Sequence, residues 1–182
     1  MERRMLNRES NPQLYELTKH IPARLIESAP QGKSGSYVPH YVIVQALLAT
    51  VGPYDWELVE ALRGRVEGTT TKKGDVYPPL EGTVVGAVYR LRCVVDGRTV
   101  TIEEPGSCES GPWETNDGER LKKASSDALK RCAMRLGVAL HLWCHRDDQW
   151  FVNRVLAGGE DEKQEGSVLV GVEADDELRL LD

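Results

Sequence analysis

A two-residue turn at Asp96 and Gly97 constrains the fold of this 182-residue chain more than any other local feature. Both residue types tolerate the positive φ angles that a tight hairpin turn requires. Before the turn, every second residue from Val85 to Cys93 is of a type that packs in a core, and residues 98–104 follow as a second extended segment. The sequence therefore predicts an antiparallel hairpin.

Upstream of this hairpin, residues 38–51 are almost wholly apolar and are predicted to form a buried helix. Gly52 and Pro53 are predicted to end this helix. A further strand is predicted to begin at Trp56. Strict alternation along this strand assigns one face to Leu58, Leu62 and Val66 and the other face to Val59, Ala61, Arg63 and Arg65.

Further cations lie on the second strand and in the connection before it. Arg90 and Arg92 point away from the apolar face of the second strand. Residues 68–79 form a polar connection with Lys72 and Lys73 at its tip. Each of these side chains is either ordinary surface charge or part of a binding surface for an anion.

A long helix is predicted after the hairpin, because apolar residues recur there with helical spacing. Its buried stripe consists of Leu121, Ala128, Leu129, Cys132 and Leu136, with Ser125 among them and Ala124 and Ala133 at the margins. Its opposite side consists of Lys123, Ser126, Asp127 and Lys130, flanked by Arg120 and Arg131. The predicted fold class is α+β: a three-stranded antiparallel sheet packed by a long helix, with short helices at the N-terminus.

The net charge of −6 is unevenly distributed. Residues 156–182 contain nine acidic and two basic residues, which leaves twenty acidic and twenty-one basic residues in the rest of the chain. The body is therefore mildly basic and compatible with a polyanionic partner. We interpret residues 156–182, in which Gly158 and Gly159 mark a break, as a flexible tail that either solubilises the protein, competes with the polyanion or recruits a basic partner.

Neither a metal site nor a nucleotide cofactor is predicted. His141, Cys144 and His145 form one local cluster of metal-ligand residue types, but a fourth ligand has no evident position, and the four cysteines are expected to be reduced thiols. Residues 32–34 imitate the end of a phosphate-binding loop, but Glu27 stands where its first Gly is required. No segment approaches the ~18 apolar residues that span a bilayer, and the N-terminus lacks a signal peptide's apolar region, so a cytoplasmic location is expected.

Three motifs within residues 37–143 resemble the core of the Rad-fifty-two superfamily of single-strand annealing proteins, which includes phage Sak proteins and bacterial DdrA repair proteins. Residues 37–56 resemble the family's helix that ends in a Gly and leads into a strand at a Trp. Residues 89–106 resemble its hairpin around Asp-Gly, followed by a Gly-containing turn. Residues 123–137 resemble its long helix with an Asp-Ala-Leu-Lys-Arg signature. The resemblance implies the family's β-β-β-α core.

The resemblance also implies a DNA-binding groove along the long helix. Lys130 and Arg131 match the adjacent basic pair of the family's helix motif and are the primary site residues. Further candidates are Lys122, Lys123 and Arg120 on the same helix, Arg63, Arg65, Arg90 and Arg92 on the sheet, and Lys72 and Lys73 in the loop. Two basic positions of the family fall at Val42 and Val95, and Arg98 is a substitute for the second. Aromatic residues give no clear stacking platform.

The function implied is ATP-independent binding and annealing of single-stranded DNA in homologous recombination or double-strand-break repair, in a phage or in a bacterial cell. The partners implied are single-stranded DNA, further copies of the chain in a ring or helical multimer, and a single-strand-binding protein or recombinase. The alternatives are a DNA-end-protecting protein that does not anneal, and a metal-dependent nuclease that uses Asp96, Glu103 and Glu104.

The predicted organisation has three parts. Residues 1–36 are an N-terminal helical segment with a role in oligomerisation, residues 37–155 are the annealing core, and residues 156–182 are the acidic tail.

Overall fold

The computed structural model describes residues 8–28 and 35–143, and these form an α+β fold. In chain order the elements are α1 Pro12–Leu17, a 3₁₀ turn Ala23–Leu25, β1 Glu27–Ser28, β2 Ser36–Tyr37, α2 His40–Val51, β3 Asp55–Val66, β4 Thr69–Thr70, β5 Val76–Tyr77, β6 Leu80–Val95, β7 Arg98–Ser107, α3 Asp117–Arg135 and a 3₁₀ turn Leu140–Leu142. Strands β3, β6 and β7 form an antiparallel sheet in that order, and α3 packs on one face. This confirms the α+β class and the three-stranded sheet packed by a helix; the predicted tail lies outside the described residues.

The hairpin between β6 and β7 has the predicted turn. Val95 pairs with Arg98, and Asp96 and Gly97 have φ angles of 49° and 74°. The predicted Gly-containing turn after this hairpin is wrong, because β7 continues through Pro105 to Ser107. A proline is tolerated there because β7 is an edge strand, where one side of the backbone needs no ladder partner.

The pairing of β3 with β6 is irregular. A register shift after Leu58 places the residues that follow on the opposite face of the sheet from the one that strict alternation predicts relative to Leu58. Leu58 is opposite Tyr89 and Ala61 is opposite Ala87, and both partners are buried against α3. Leu58 and Ala61 therefore share a face, although strict alternation predicts opposite faces. The prediction is wrong because a bulge between Leu58 and Glu60 inserts one residue and shifts the pleat.

The main hydrophobic core lies between α2, α3 and the covered face of the sheet. Leu91, Leu129 and Cys132 are at most 2% exposed, and Val42 and Leu47 of α2 pack beside them. The predicted helical stripe is confirmed at Ala128, Leu129, Cys132 and Leu136, while Leu121 is only partly buried and Ala124 and Ala133 are fully buried. The described cysteines, Cys93, Cys108 and Cys132, are buried free thiols.

A smaller cluster connects the first long strand to α3. The rings of Trp56 and Tyr89 stack with centroids 4.9 Å apart and an interplanar angle of 7°. Nε1 of Trp56 donates a hydrogen bond to Oγ of Ser125 at 3.0 Å. The partly buried indole thus packs its ring on Tyr89 and satisfies its polar atom, and this fixes β3 against the helix.

The backbones of α3 and β7 approach each other closely at Gly106. A Cβ at Gly106 would overlap the carbonyl oxygen of Ala124 and lie 2.7 Å from the amide nitrogen of Ala128. Both alanines are fully buried. Small residues on both sides therefore set the distance between helix and sheet.

We expect Gly106→Ala to lower the free energy of unfolding by about 2–3 kcal/mol, because the helix must move away from the sheet to admit a methyl group. Urea denaturation measures the change. Gly64→Ala is the control, since a Cβ there meets only the side chain of Val85, at 3.3 Å, and should change stability by less than about 1 kcal/mol. Equal effects of the two substitutions would contradict this account of the packing.

The first helix receives its N-terminal cap from the distant hairpin turn. The carboxylate of Asp96 accepts hydrogen bonds from the amides of Gln13 at 2.8 Å and Leu14 at 3.3 Å. The amide of Asp96 in turn donates to Oε1 of Gln13 at 2.6 Å. Asn11, at the N-cap position itself, makes no side-chain cap. Asp96 therefore satisfies amides that otherwise lack an acceptor within the helix.

Asp96→Ala should lower the free energy of unfolding by about 1–2 kcal/mol, because it removes the cap and places a Cβ-bearing residue without a polar side chain at positive φ. Asp96→Asn should cost less, since an amide oxygen still accepts a hydrogen bond and asparagine tolerates this backbone conformation. Thermal or urea unfolding of both variants tests the difference, and equal losses would exclude capping as the cause.

Two histidines join the N-terminal segment to the turn after α3. The rings of His20 and His141 stack with centroids 4.4 Å apart, and Nε2 of His141 is buried without a hydrogen-bond partner in the part of the chain that the structure describes. Burial lowers the pKa of His141, and the neighbouring His20 lowers it further. The folded protein therefore favours the neutral form of His141.

Because the unfolded chain binds a proton at His141 at higher pH than the folded chain does, stability should fall as the pH drops below about 6.5. His141→Gln removes this proton uptake and should reduce the loss of unfolding free energy between about pH 7.5 and about pH 5.5. Urea titrations at both pH values measure it. A pH dependence unchanged by the substitution would assign the effect to other groups.

Candidate nucleic-acid interface

One side of α3 borders an open polar depression. Asn116 caps the start of this helix, and its Oδ1 accepts a hydrogen bond from the amide of Gly118 at 2.8 Å. Two lysines of the helix, Lys123 and Lys130, lie two turns apart, about 10 Å along the axis. Both line the depression together with Ser107, Glu109, Ser110, Ser126 and Asp127. The structure thus places two of the predicted cations in one concave surface with several hydroxyl groups.

Lys130 is a partly buried cation that forms no ion pair with residues 8–28 or 35–143. Among the described residues, no carboxylate lies within 4.0 Å of its Nζ, which sits 5.2 Å from the centroid of the Tyr37 ring. Burial lowers the pKa of Lys130, while Asp127 and Glu27 act in the opposite direction. An anion beside Lys130 would compensate the ammonium group for solvation that it has lost.

Lys123 lines the depression and Arg131 does not, and each of the two has a carboxylate partner. Nζ of Lys123 donates to Oγ of Ser110 at 2.6 Å and lies 3.5 Å from Glu114. Nε of Arg131 donates to Oδ2 of Asp127 at 3.0 Å. A phosphate that binds these cations must compete with the carboxylates. We therefore expect Lys123 and Arg131 to bind phosphate less readily than Lys130 does.

Arg120 does not belong to the exposed basic edge. Its side chain is fully buried. Nε donates a hydrogen bond to the carbonyl oxygen of Glu114 at 2.7 Å, and Nη2 donates to the carbonyl oxygen of Gly111 at 2.7 Å. Nη1 donates to the carbonyl oxygens of Val84 and Ser110 at 3.3 and 3.4 Å. The prediction of Arg120 as a DNA contact is wrong, because the guanidinium joins residues 108–114 to the helix and has no access to a ligand.

The sheet arginines do not line the depression that contains Lys123 and Lys130. Arg63 reaches the start of α3 and pairs with Asp117 at 2.7 Å. Hydrogen bonds from the amide of Val84, the hydroxyl of Thr83 and the guanidinium of Arg63 lower the pKa of Asp117 to about 2. Arg90 lies on the opposite face of the sheet, in a row between Glu57 and Glu103, at 3.0 and 2.7 Å.

Two more of the predicted cations are in exposed ion pairs. Arg65 pairs with Glu67 at 2.9 Å and with Glu81 at 3.1 Å. Lys122 lies 3.4 Å from Glu119, and its side chain is 75% exposed. Exposed pairs of this kind contribute little to stability and can be exchanged for other partners.

Four predicted cations have no polar partner among the described residues: Arg92, Arg98, Lys72 and Lys73. Lys72 and Lys73 lie in the turn between β4 and β5, while Arg98 is the first residue of β7. Arg92 is on the face of the sheet away from α3. The four are therefore distributed over the molecule and are not gathered at one site.

The structure contains an aromatic surface that the sequence did not indicate. Tyr37 and Trp143 line a second pocket, which adjoins the depression at Lys130, and Trp143 is 48% exposed. The two rings are 106 positions apart in the sequence, and no local pattern relates them. Phe151, the single phenylalanine, lies outside the described residues.

The carboxylates considered for a nuclease have separate partners. Asp96 caps α1, Glu103 pairs with Arg90, and Glu104 lies 2.5 Å from Nε of Arg135. Within residues 8–28 and 35–143, no three side chains of His, Cys, Asp or Glu are grouped as metal ligands. Cys144 and His145 lie outside these ranges.

The chain matches no protein-family model and no curated protein sequence. The resemblance to single-strand annealing proteins therefore rests on the three motifs described above. No helix within the described residues is long and apolar enough to cross a membrane.

Proposed function

We propose that the protein binds single-stranded DNA along α3 and anneals complementary strands without nucleotide hydrolysis. The main support is the state of Lys130, a partly buried ammonium group without a carboxylate partner among the described residues, in a depression that it shares with Lys123. The second support is the position of this lysine, which is that of the basic pair in the motif at residues 123–137.

Annealing requires this kind of surface. A strand must be held by its phosphates while its bases stay free to test a complement, and lysines in a groove supply such contacts without reading sequence. One protomer offers only a short groove, so we propose that several copies assemble and join weak contacts into a continuous track. Light scattering with and without oligonucleotide tests this assembly, and a monomer under both conditions would argue strongly against annealing.

An annealing assay with fluorescent complementary oligonucleotides, without nucleotide and with EDTA, tests the proposed activity. Faster duplex formation is the expected result. Binding without acceleration would instead favour the protection of DNA ends, which the likeness to DdrA proteins suggests. Strand loss that requires a divalent metal would favour a nuclease.

Lys130→Ala should weaken binding to all single-stranded sequences about equally and reduce the slope of log affinity against log salt by about one, because a phosphate contact is lost. Lys122→Ala is the matched control on the same helix, since that side chain is exposed and lies 3.4 Å from Glu119 outside the depression. Arg131→Ala should have a smaller effect, because Asp127 already holds its guanidinium. Equal effects of Lys130→Ala and Lys122→Ala would reject the groove.

A further inference from the structure

A pocket of about 300 Å³ lies between β2, α2 and the turn after α3. Its inner lining is apolar, and Val38, Ile43 and Val138 are each at most 5% exposed. Tyr37 and Trp143 complete the lining with partly exposed aromatic rings. An apolar interior bordered by aromatic rings suits a flat aromatic ligand.

The pocket is continuous with the polar depression on α3. Lys130 and Asp127 line both, whereas Lys123 and the serines line only the depression. A ligand that fills both must therefore have an aromatic part and an anionic part joined by a short polar link. A nucleotide within a single strand has this composition.

We infer that the pocket lined by Tyr37 and Trp143 receives a nucleobase of the bound strand, with the adjoining phosphate beside Lys130. This inference rests on the proposed binding of single-stranded DNA and adds a contact to the base. Stacking on an aromatic ring tolerates any base, because every base has a π-face. The pocket would thus anchor the strand at one base per protomer without selecting sequence, and the other bases would stay free to test a complement.

The site is already organised before a ligand arrives. The hydroxyl of Tyr37 donates to Oε2 of Glu27 at 2.5 Å, which joins the paired strands β1 and β2, and the ammonium group of Lys130 lies over the Tyr37 ring. A ring held on one edge and one face loses little further freedom when a base stacks on it. The cation at the rim favours an occupant with a negative charge over a neutral apolar side chain.

The test compares an oligothymidylate with an abasic oligonucleotide of the same length, which keeps the phosphates and lacks the bases. The wild-type protein should bind the base-containing strand about tenfold more tightly, the scale of one aromatic–base stack. Tyr37→Leu combined with Trp143→Leu should bind both strands equally, at the wild-type affinity for the abasic strand. Fluorescence anisotropy at constant salt measures the affinities.

Two control variants separate stacking from folding. Tyr37→Phe keeps the ring and loses the hydrogen bond to Glu27, so it should retain the preference for bases. Tyr41→Leu removes an aromatic side chain that is 54% exposed and does not line the pocket, so it should also retain the preference. Loss of the preference in either control would overturn the inference.

The remaining outcomes distinguish this inference from the proposed function. If the wild-type protein binds both strands equally and with strong salt dependence, DNA binding stands and the base pocket is rejected. If it binds neither strand, both are rejected. If the double variant keeps the base preference but forms smaller assemblies, the pocket holds a second copy of the chain, and the inference is wrong.

Discussion

The direct contact between the backbone of α3 and the edge strand at Gly106 determines where everything on the helix lies. A helix that rests on alanine and glycine sits closer to its sheet than one that rests on leucine, because no side chain separates the two backbones. This closeness brings Ser107 within 3.0 Å of Asp127 and places the segment around Ser110 beside Lys123. The floor of the polar depression is therefore a consequence of close packing.

Arg120 has a related role on the other side of the same segment. Its buried guanidinium donates to carbonyl groups from residues 84–114 and to Sγ of Cys108, and no carboxylate of the described residues pairs with it, so neutral dipoles compensate the charge. Burying a charge in this way is costly unless its hydrogen bonds are satisfied. The segment that presents Ser110 and Glu114 to Lys123 is thus held by the helix from within, and the cation that appeared suited to bind a ligand organises the surface around it.

Local signals in the sequence predicted the Asp96–Gly97 turn, the helix end at Gly52 and the apolar stripe of α3, because each depends on neighbours within a few residues. The bulge after Leu58 has no such signal, and it reversed the assignment of faces along β3. The burial of Arg120 and the pocket between Tyr37 and Trp143 depend on segments brought together only by the complete fold. Ion pairing at Arg90 likewise depends on the strand register. The site was therefore harder to predict than the fold, because the positions of its residues depend on contacts between segments that are distant in the sequence.

The cap that Asp96 provides for α1 has a consequence for the order of assembly. A helix of six residues has too few internal hydrogen bonds to persist alone, and its first amides find their acceptors 83 residues later in the chain. The hairpin must close before this acceptor is in place, so we expect the segment synthesised early to dock late. Until then Leu17, which is 3% exposed in the folded protein, remains in contact with water. The N-terminal helix completes a core that the later part of the chain has already built.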